Sequence, residues 1–498
     1  MEVKIENILS INTISESLFI PYLDNSNYLK DIFDGAIADI AKKIIITHKP
    51  FEDDNNIITS FVLLNGKVVF LILFVCESST GGKKITSAGK KVAQLLHNNN
   101  ITNLSYIPFE DVLSLEDCHT HTLNFIEGLF YGIYHFDYYK TKKEKVHLKD
   151  LILLSKNEVF KQFVNKDCRE LNRIFYYVNI VKDLTNKPAN DLTPQTFADY
   201  IKENASKNID ALIKNAEDLE ADGLNLIAAV GRGSLNKPKF IILTYINEPK
   251  NKTFIYVIGK GVTFDSGGTN LKPTGSIETM KSDMAGAAVA YSLINLIAAS
   301  GLNVNVRVLI PLVENIAGTL AFKPGDIYTS YSGKTVEVQN TDAEGRLILA
   351  DSLAYATRNN ASIIIDIATL TGACVVALGA FCAGYFTNNE KLDQLLKESS
   401  NKTYEDFWRL PLYMDYKVRI KSKVADLQNV ATQRREAGSI IAALFLEEFV
   451  EGFPWLHLDI AGPAFIEEEH PIFGINATGF GLRTLFELIK NYNDNQHS

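Results

Sequence analysis

A chain of 498 residues with 46% hydrophobic composition can bury a substantial core, and its length exceeds what one core usually organises, so two domains are expected. A formal net charge of -9 argues against a broad nucleic-acid surface, which needs a concentrated positive footprint, and leaves only the small clusters Lys83, Lys84, Lys90, Lys91 and Lys140, Lys142, Lys143, Lys145 as local candidates. Five widely spaced cysteines (Cys76, Cys118, Cys168, Cys374, Cys382) suit a reducing cytosol, and neither a secretory signal nor a run of roughly 20 apolar residues stands out, so a soluble protein is expected.

Residues 1–155 read as a smaller N-terminal α/β domain. Within it Ile44–Thr47 and Val68–Val75 are strand candidates, Asp31–Lys42 and Gly89–His97 have helical spacing, and no chemical constellation stands out. From Asn157 to Leu184, apolar positions such as Phe160, Phe163, Val164, Leu171 and Phe175 recur every three or four residues, predicting a long amphipathic helix that links the halves over 156–186. Asn186 and Pro188 mark its end, and Thr193 followed by Pro194 offers a cap and a first-turn proline for the next helix.

Residues 187–498 alternate strands and helices. Leu226–Val230, Phe240–Thr244, Phe254–Ile258, Val304–Leu309, Ile363–Ile367 and Leu456–Ile460 are apolar strand candidates; Met284–Ala298, Leu347–Thr357 and Ile440–Val450 have the spacing of helices. This order predicts an α/β fold whose larger C-terminal domain holds a central mixed, largely parallel sheet flanked by helices. Working groups in such sheets gather beyond the carboxyl ends of the strands.

Two windows in that half concentrate chemistry: Gly259–Asp283 (GKGVTFDSGGTNLKPTGSIETMKSD) and Asn340–Arg346 (NTDAEGR). They supply Lys260, Asp265, Lys272, Asp283, Asp342, Glu344 and Arg346, enough oxygen and nitrogen donors for two divalent metals. Asp265 sits before Gly267 and Gly268, which let the backbone turn tightly beside a ligand. Asp283 opens the helical run at Met284, so capping that helix competes with metal binding. Lys260 is either an ion-pair partner or, beside divalent cations, an amine that gives up its proton. Asp342 and Glu344 alternate by one residue and in an extended approach point to the same side; they form either a metal cluster with Arg346 holding an anion, or a turn closed by an Arg346 salt bridge. Oxygen ligands alone suit Mg²⁺, Mn²⁺ or Zn²⁺, and a lysine ligand moves the choice toward Zn²⁺ or Mn²⁺.

Other catalytic systems find less support. There is no HExxH, and His457 reads as a core residue or a support behind the site. Gly231-Arg232-Gly233 lacks the third glycine of a dinucleotide loop, Gly81-Gly82-Lys83 lacks phosphate-loop spacing, and Ser266 lacks the nucleophile elbow.

Six segments carry a family likeness: VIGKGVTFDSGG at 257–268, MKSDMAGAA at 280–288, NTDAEGRLILADSLAYA at 340–356, DIATLTGA at 366–373, HLDIAGPAF at 457–465 and ATGFGLRTL at 477–485. Together they resemble the leucyl aminopeptidase family, the cytosol aminopeptidases of peptidase family M17, from about Asn186 to Arg483. Before that, the likeness rests on length and domain order. The resemblance implies that Asp265 and Glu344 are shared by two metals, that Lys260 and Asp283 complete one site, and that Asp342 completes the other. Lys272 is then the group on the substrate carbonyl, and Arg346 holds a bicarbonate-like anion that shuttles a proton. Met280, Thr369, Gly372 and Ala461, with Ala464 by looser alignment, are implied to line the pocket for the first side chain.

The implied protein is a cytoplasmic leucyl aminopeptidase using two Zn²⁺ or Mn²⁺ ions. It releases leucine, methionine or other apolar residues from short peptides with a free N-terminus, and assembles as a homohexamer, a dimer of trimers. The alternative is a DNA-binding regulatory protein on an aminopeptidase scaffold, which the acidic balance disfavours.

Overall fold

A computed structural model describes residues 1–7, 14–23, 39–41, 43–45, 56–64, 66–76, 80–108, 113–143, 148–431 and 436–497. The chain divides into two compact units, one comprising Met1–Phe175 and His470–Gly474, the other Tyr176–Glu469 and Ile475–Ser498.

The first unit is built on six strands: β1 (Glu2–Asn7), β2 (Ser17–Leu23), β3 (Ile57–Leu64), β4 (Lys67–Cys76), β5 (Asn103–Tyr106) and β6 (Asp150–Ser155). Their order is β1-β6-β5-β2-β4-β3, parallel except for the terminal β3–β4 hairpin. β4 is buried over eight consecutive residues, the continuous apolar run of a strand covered on both faces. Helices Gly82–Asn98 and Leu115–Gly132 belong to this unit. Of the other expectations here, Ile44 and Ile45 are helical where a strand was expected; Ile46 and Thr47 lie outside the described residues, as does most of Asp31–Lys42, whose residues 39–41 are helical.

The long helix spans Glu158–Asn186. It buries Phe160, Val164 and Phe175 and leaves Phe163 half exposed. Thr193 caps the next helix, Pro194–Asn204, through a reciprocal capping box with Thr196.

The second unit contains β7 (Ile209–Lys214), β8 (Lys239–Ile246), β9 (Phe254–Gly259), β10 (Gly261–Asp265), β11 (Asn305–Asn315), the short β12 (Ile327–Thr329) and β13 (Thr335–Glu337), β14 (Ala361–Ala368), β15 (Cys382–Thr387), β16 (Asp406–Arg409), β17 (Leu427–Gln428) and β18 (Trp455–Asp459). Its main sheet runs β16-β15-β18-β14-β9-β11-β8-β7, with β10 added beside β11. The centre, β18-β14-β9-β11, is parallel, while β15–β18, β11–β8 and β8–β7 are antiparallel. The chain is thus an α/β protein with mixed, largely parallel sheets.

Every residue of β9 is buried, and helices Ala285–Ser300, Gly345–Thr357 and Gly438–Glu447 bury most of their side chains with it. The segment Met280–Ser300 has the length and apolarity to cross a membrane, yet 94% of its apolar window is buried inside the protein, as befits a core helix. One expected strand is overturned: Leu226–Val230 lies in the helix Asn225–Gly231. An apolar run buried on all sides has no period to separate helix from strand. Here Asp351 decides, accepting from the amides of Leu226 at 2.8 Å and Ile227 at 3.2 Å at the open end of that helix.

Candidate active site

The central strands end on one side of the sheet in a ring of polar residues. Lys260 follows β9, Asp265 ends β10, Asn315 ends β11, Thr369 follows β14 and Asp459 ends β18. Asp283 lies between the short 3-10 helix Met280–Ser282 and the helix Ala285–Ser300, and Glu344 precedes the helix Gly345–Thr357. Topology alone therefore brings both sequence windows to the carboxyl ends of parallel strands.

Two lysines knit four carboxylates together. Lys260 Nζ lies 2.7 Å from Asp283 Oδ1 and 3.1 Å from Glu344 Oε1, and donates to the Thr369 carbonyl at 2.8 Å. Lys272 Nζ lies 2.9 Å from Asp265 Oδ2 and 2.6 Å from Asp342 Oδ1. Carboxylate oxygens of Asp265, Asp342 and Glu344 fall within 4.8 Å of one another. Lys260, Asp265, Asp283 and Glu344 are buried, and the Asp342 side chain is one-third exposed.

The backbone is shaped around this centre. Gly267, at φ +84°, donates its amide to Asp265 Oδ1 at 2.8 Å, and a Cβ there would meet Asp342 Oδ1 at 2.9 Å. At Gly345 a Cβ would come within 2.4 Å of Lys260 Cε, so the glycine of NTDAEGR is what admits the lysine.

Three details decide between readings left open by the sequence. Asp283 does not cap the helix that follows; its Oδ1 accepts from Lys260 and from Thr369 Oγ1 at 2.8 Å, and Met284 holds the cap position. Asp342 and Glu344 converge through a turn and a helix start, with Glu344 at φ -77° and ψ -35°, and not through strand alternation. Arg346 closes no salt bridge among the described residues: its Nη1 donates to the Asn429 carbonyl at 2.8 Å, and its buried Nε has no partner there. Ser266 Oγ donates to the Asn315 carbonyl at 2.7 Å, which commits it to the loop.

Electrostatics mark the cluster as short of positive charge. Burial, with Glu344 and Asp283 adding repulsion, pushes Asp265 well above the ordinary carboxylate range. Burial also pushes Asp283 up to about 7 despite Lys260, and raises Asp342. Burial works against the Glu344 charge too, but Lys260 and Lys272 outweigh it and hold its carboxyl low. Lys260, though buried, and Lys272, which keeps some exposure, are both held above their ordinary value by these acids. Burial pulls Arg346 down to about 10, against the opposing pull of the Glu344 and Asp459 charges.

Among the described residues, the buried oxygens Asp283 Oδ2 and Glu344 Oε2 have no hydrogen-bond donor. Orphaned carboxylate oxygens at the rim of an acidic cluster fit divalent cations.

Residues outside the two windows complete the arrangement. Asn315 Nδ2 donates to Asp265 Oδ1 at 2.8 Å and to the Thr341 carbonyl at 2.9 Å, joining the two windows. Pro311 interrupts the run leading to it, so the strand reads as ending early. Asp366 and His457 are register partners on β14 and β18, with Asp366 Oδ1 2.5 Å from His457 Nδ1 and Asp366 Oδ2 accepting from Trp455 Nε1 at 2.7 Å.

The pocket candidates flank the centre. Met280 opens the 3-10 helix before Asp283, Thr369 touches both Lys260 and Asp283, Gly372 begins the helix Gly372–Leu378, and Ala461 follows β18. A Cβ built on Gly372 meets nothing within 4 Å.

An acidic centre with orphaned oxygens, set beyond the parallel strands of an α/β sheet, defines a protein built to hold divalent cations. Comparison with known proteins narrows this class. Residues 179–486 match the model of the cytosol aminopeptidase family, catalytic domain. A protein of Chlamydia caviae named "Probable cytosol aminopeptidase" is 41% identical over 420 residues, 82% of each chain. One of the same name from Chlorobium phaeobacteroides is 44% identical over 383 residues, 74% of this chain and 75% of its own. The solved structure of the bottromycin maturation enzyme BotP in complex with Mn superposes with a TM-score of 0.81 at 30% identity, covering 96% of this chain and 99% of that one. The chain belongs to the cytosol aminopeptidase family. It is accordingly a metal-dependent aminopeptidase, a hydrolase of peptides that works with divalent metal ions. The DNA-binding alternative gains no support from these relatives.

Proposed function

We propose that the protein removes leucine, methionine and other apolar residues from the N-terminus of short peptides, using two divalent ions. The observation that carries this reading is the convergence of Asp265, Asp342 and Glu344 within 4.8 Å, with Asp283 Oδ2 and Glu344 Oε2 free of donors among the described residues. In this reading Asp265 and Glu344 are shared by both ions, Lys260 and Asp283 complete one site and Asp342 the other. The donor set favours Zn²⁺ or Mn²⁺.

Bound there, two such cations would supply a water of lowered pKa and positive charge for a free α-amine and its neighbouring carbonyl. Lys272, whose Nζ reaches only Asp265 and Asp342 among the described residues, turns its ammonium toward the carbonyl oxygen and favours the charge that develops on it. Arg346, with Nε unpartnered, would hold a bicarbonate-like anion where that anion can take the proton of the attacking water and return it to the leaving amine. Met280, Thr369, Gly372 and Ala461 receive the first side chain, selecting by shape. Residues 187–498 supply this whole site; residues 1–155 and the connecting helix lie outside it. The setting is the cytoplasm.

The test is a set of peptides beginning with leucine, methionine, alanine or aspartate, each also made with an acetylated N-terminus. Release of one residue at a time from the free forms, fastest for leucine and methionine, with the acetylated forms untouched, is the expected result. Internal cleavage, or equal cleavage of acetylated peptides, would sink the reading.

A further inference from the structure

The buried carboxylate of Asp459 is joined to both loops that carry the pocket candidates. Asp459 is fully buried at the end of β18. Its Oδ1 accepts from the amides of Leu370 at 3.1 Å, Thr371 at 3.4 Å and Ala461 at 3.2 Å, and its Oδ2 accepts from Thr371 Oγ1 at 2.7 Å. Leu370 and Thr371 lie between Thr369 and Gly372 on one side, and Ala461 is itself the other side. Thr371 Oγ1 in turn accepts from the Cys374 amide at 3.0 Å, capping the helix that Gly372 begins, and lies 2.9 Å from Ser439 Oγ. At its far end the first loop is anchored to the acidic centre, where Thr369 meets Lys260 and Asp283.

We infer that Asp459 is a positioning residue for substrate selection, a side-chain staple that fixes the separation of the two walls receiving the first side chain. The inference rests on the pocket proposed above. A carboxylate suits the task because its two oxygens accept four hydrogen bonds at once, and hydrogen bonds to a charged acceptor are the strong kind. Released from it, the two loops keep the backbone bond from the Ile460 amide to the Ala368 carbonyl at 2.9 Å, where they begin, and their outer anchors. The pocket then loses its fit to a branched side chain, while a small residue such as alanine, needing little of the wall, is handled as before.

The experiment uses the full-length, metal-loaded protein and four variants: Asp459→Ala, Asp459→Asn, Thr371→Val and Gly372→Val. Each is assayed for kcat and KM on leucyl and alanyl dipeptides, with metal content measured in parallel. The expected result for Asp459→Ala is a rise in KM for the leucyl substrate of about tenfold, with kcat within about threefold, alanyl turnover little changed and metal content retained. Thr371→Val, which leaves the aspartate in place, should move the same ratio in the same direction by less. Asp459→Asn keeps one acceptor oxygen and should restore part of the preference.

An unchanged leucine-to-alanine ratio in Thr371→Val and in folded Asp459→Ala would overturn the inference. So would a uniform fall in kcat accompanied by metal loss. Gly372→Val, whose new side chain enters open space, separates the two levels. If it lowers leucyl turnover selectively while Asp459→Ala does not, only the staple fails; if it leaves the ratio unchanged, the pocket itself is wrong and the staple falls with it.

Discussion

Lys260 and Lys272 are chemically alike and sit in one acidic cluster, yet their neighbours give them different work. Lys260 is enclosed by Asp283, Glu344 and the Thr369 carbonyl and is passed closely by the backbone at Gly345. Lys272 touches only the carboxylates of Asp265 and Asp342 and keeps some exposure to solvent. Replacing a shared ligand, by Asp265→Ala or Glu344→Ala, is therefore expected to empty both metal positions, whereas Lys272→Ala should retain most of the metal and lose turnover by about 100-fold or more. Elemental analysis beside steady-state rates checks this, and equal metal loss in all three variants would contradict the assignment of Lys272. The seven charged residues of this centre could be read in the sequence because they crowd into two short windows. Asn315 and Asp459 could not, since each is the last residue of a mostly apolar strand, far in sequence from both windows, and only the order of the strands shows what it meets.

Among the secondary-structure elements, the helix Asn225–Gly231 shows what the pattern of apolar residues leaves undetermined. Strands covered on both faces, such as β9 and, but for Asp366, β14, are legible as apolar runs between polar turns. The run Leu226–Val230 has that same appearance but is a helix, because a carboxylate from a distant helix meets its first amides. Asp351 accepts from Leu226, Ile227 and Tyr331, the last at 2.8 Å. Asp351→Ala strips three amides of their acceptor and should cost about 3 kcal/mol, seen as a drop of several degrees in Tm, with kcat of the folded fraction within about twofold. Burial pushes the Asp351 carboxyl up to about 7, against the pull of those amides. A carboxyl raised in the folded state contributes stability that is complete below its unfolded value and lost as pH rises through about 7. The difference in Tm between the parent and Asp351→Ala should accordingly be larger at pH 6 than at pH 8, and the opposite trend would mean that the amides prevail over burial.

For the molecule as a whole, assembly is the open quantity, and we propose a homohexamer arranged as two trimers. In the single chain the edge strand β16 exposes Trp408, and Tyr413 and Met414 beyond it are also more than half exposed. Such a stretch at a sheet edge is what a neighbouring copy covers. Light scattering over a concentration series should give six times the 55.5 kDa chain mass, and a stable, fully active monomer would remove the requirement for assembly. The pairing of two ammonium groups with four carboxylates also bears on how such a molecule meets its metal ions. Its interior supplies part of its own counter-charge, so the polypeptide has a way to reach its final shape before any ion is captured. A chelated sample is accordingly expected to keep its folded signal in circular dichroism while losing turnover, and to regain turnover when Zn²⁺ or Mn²⁺ is added; loss of the folded signal on chelation would contradict this.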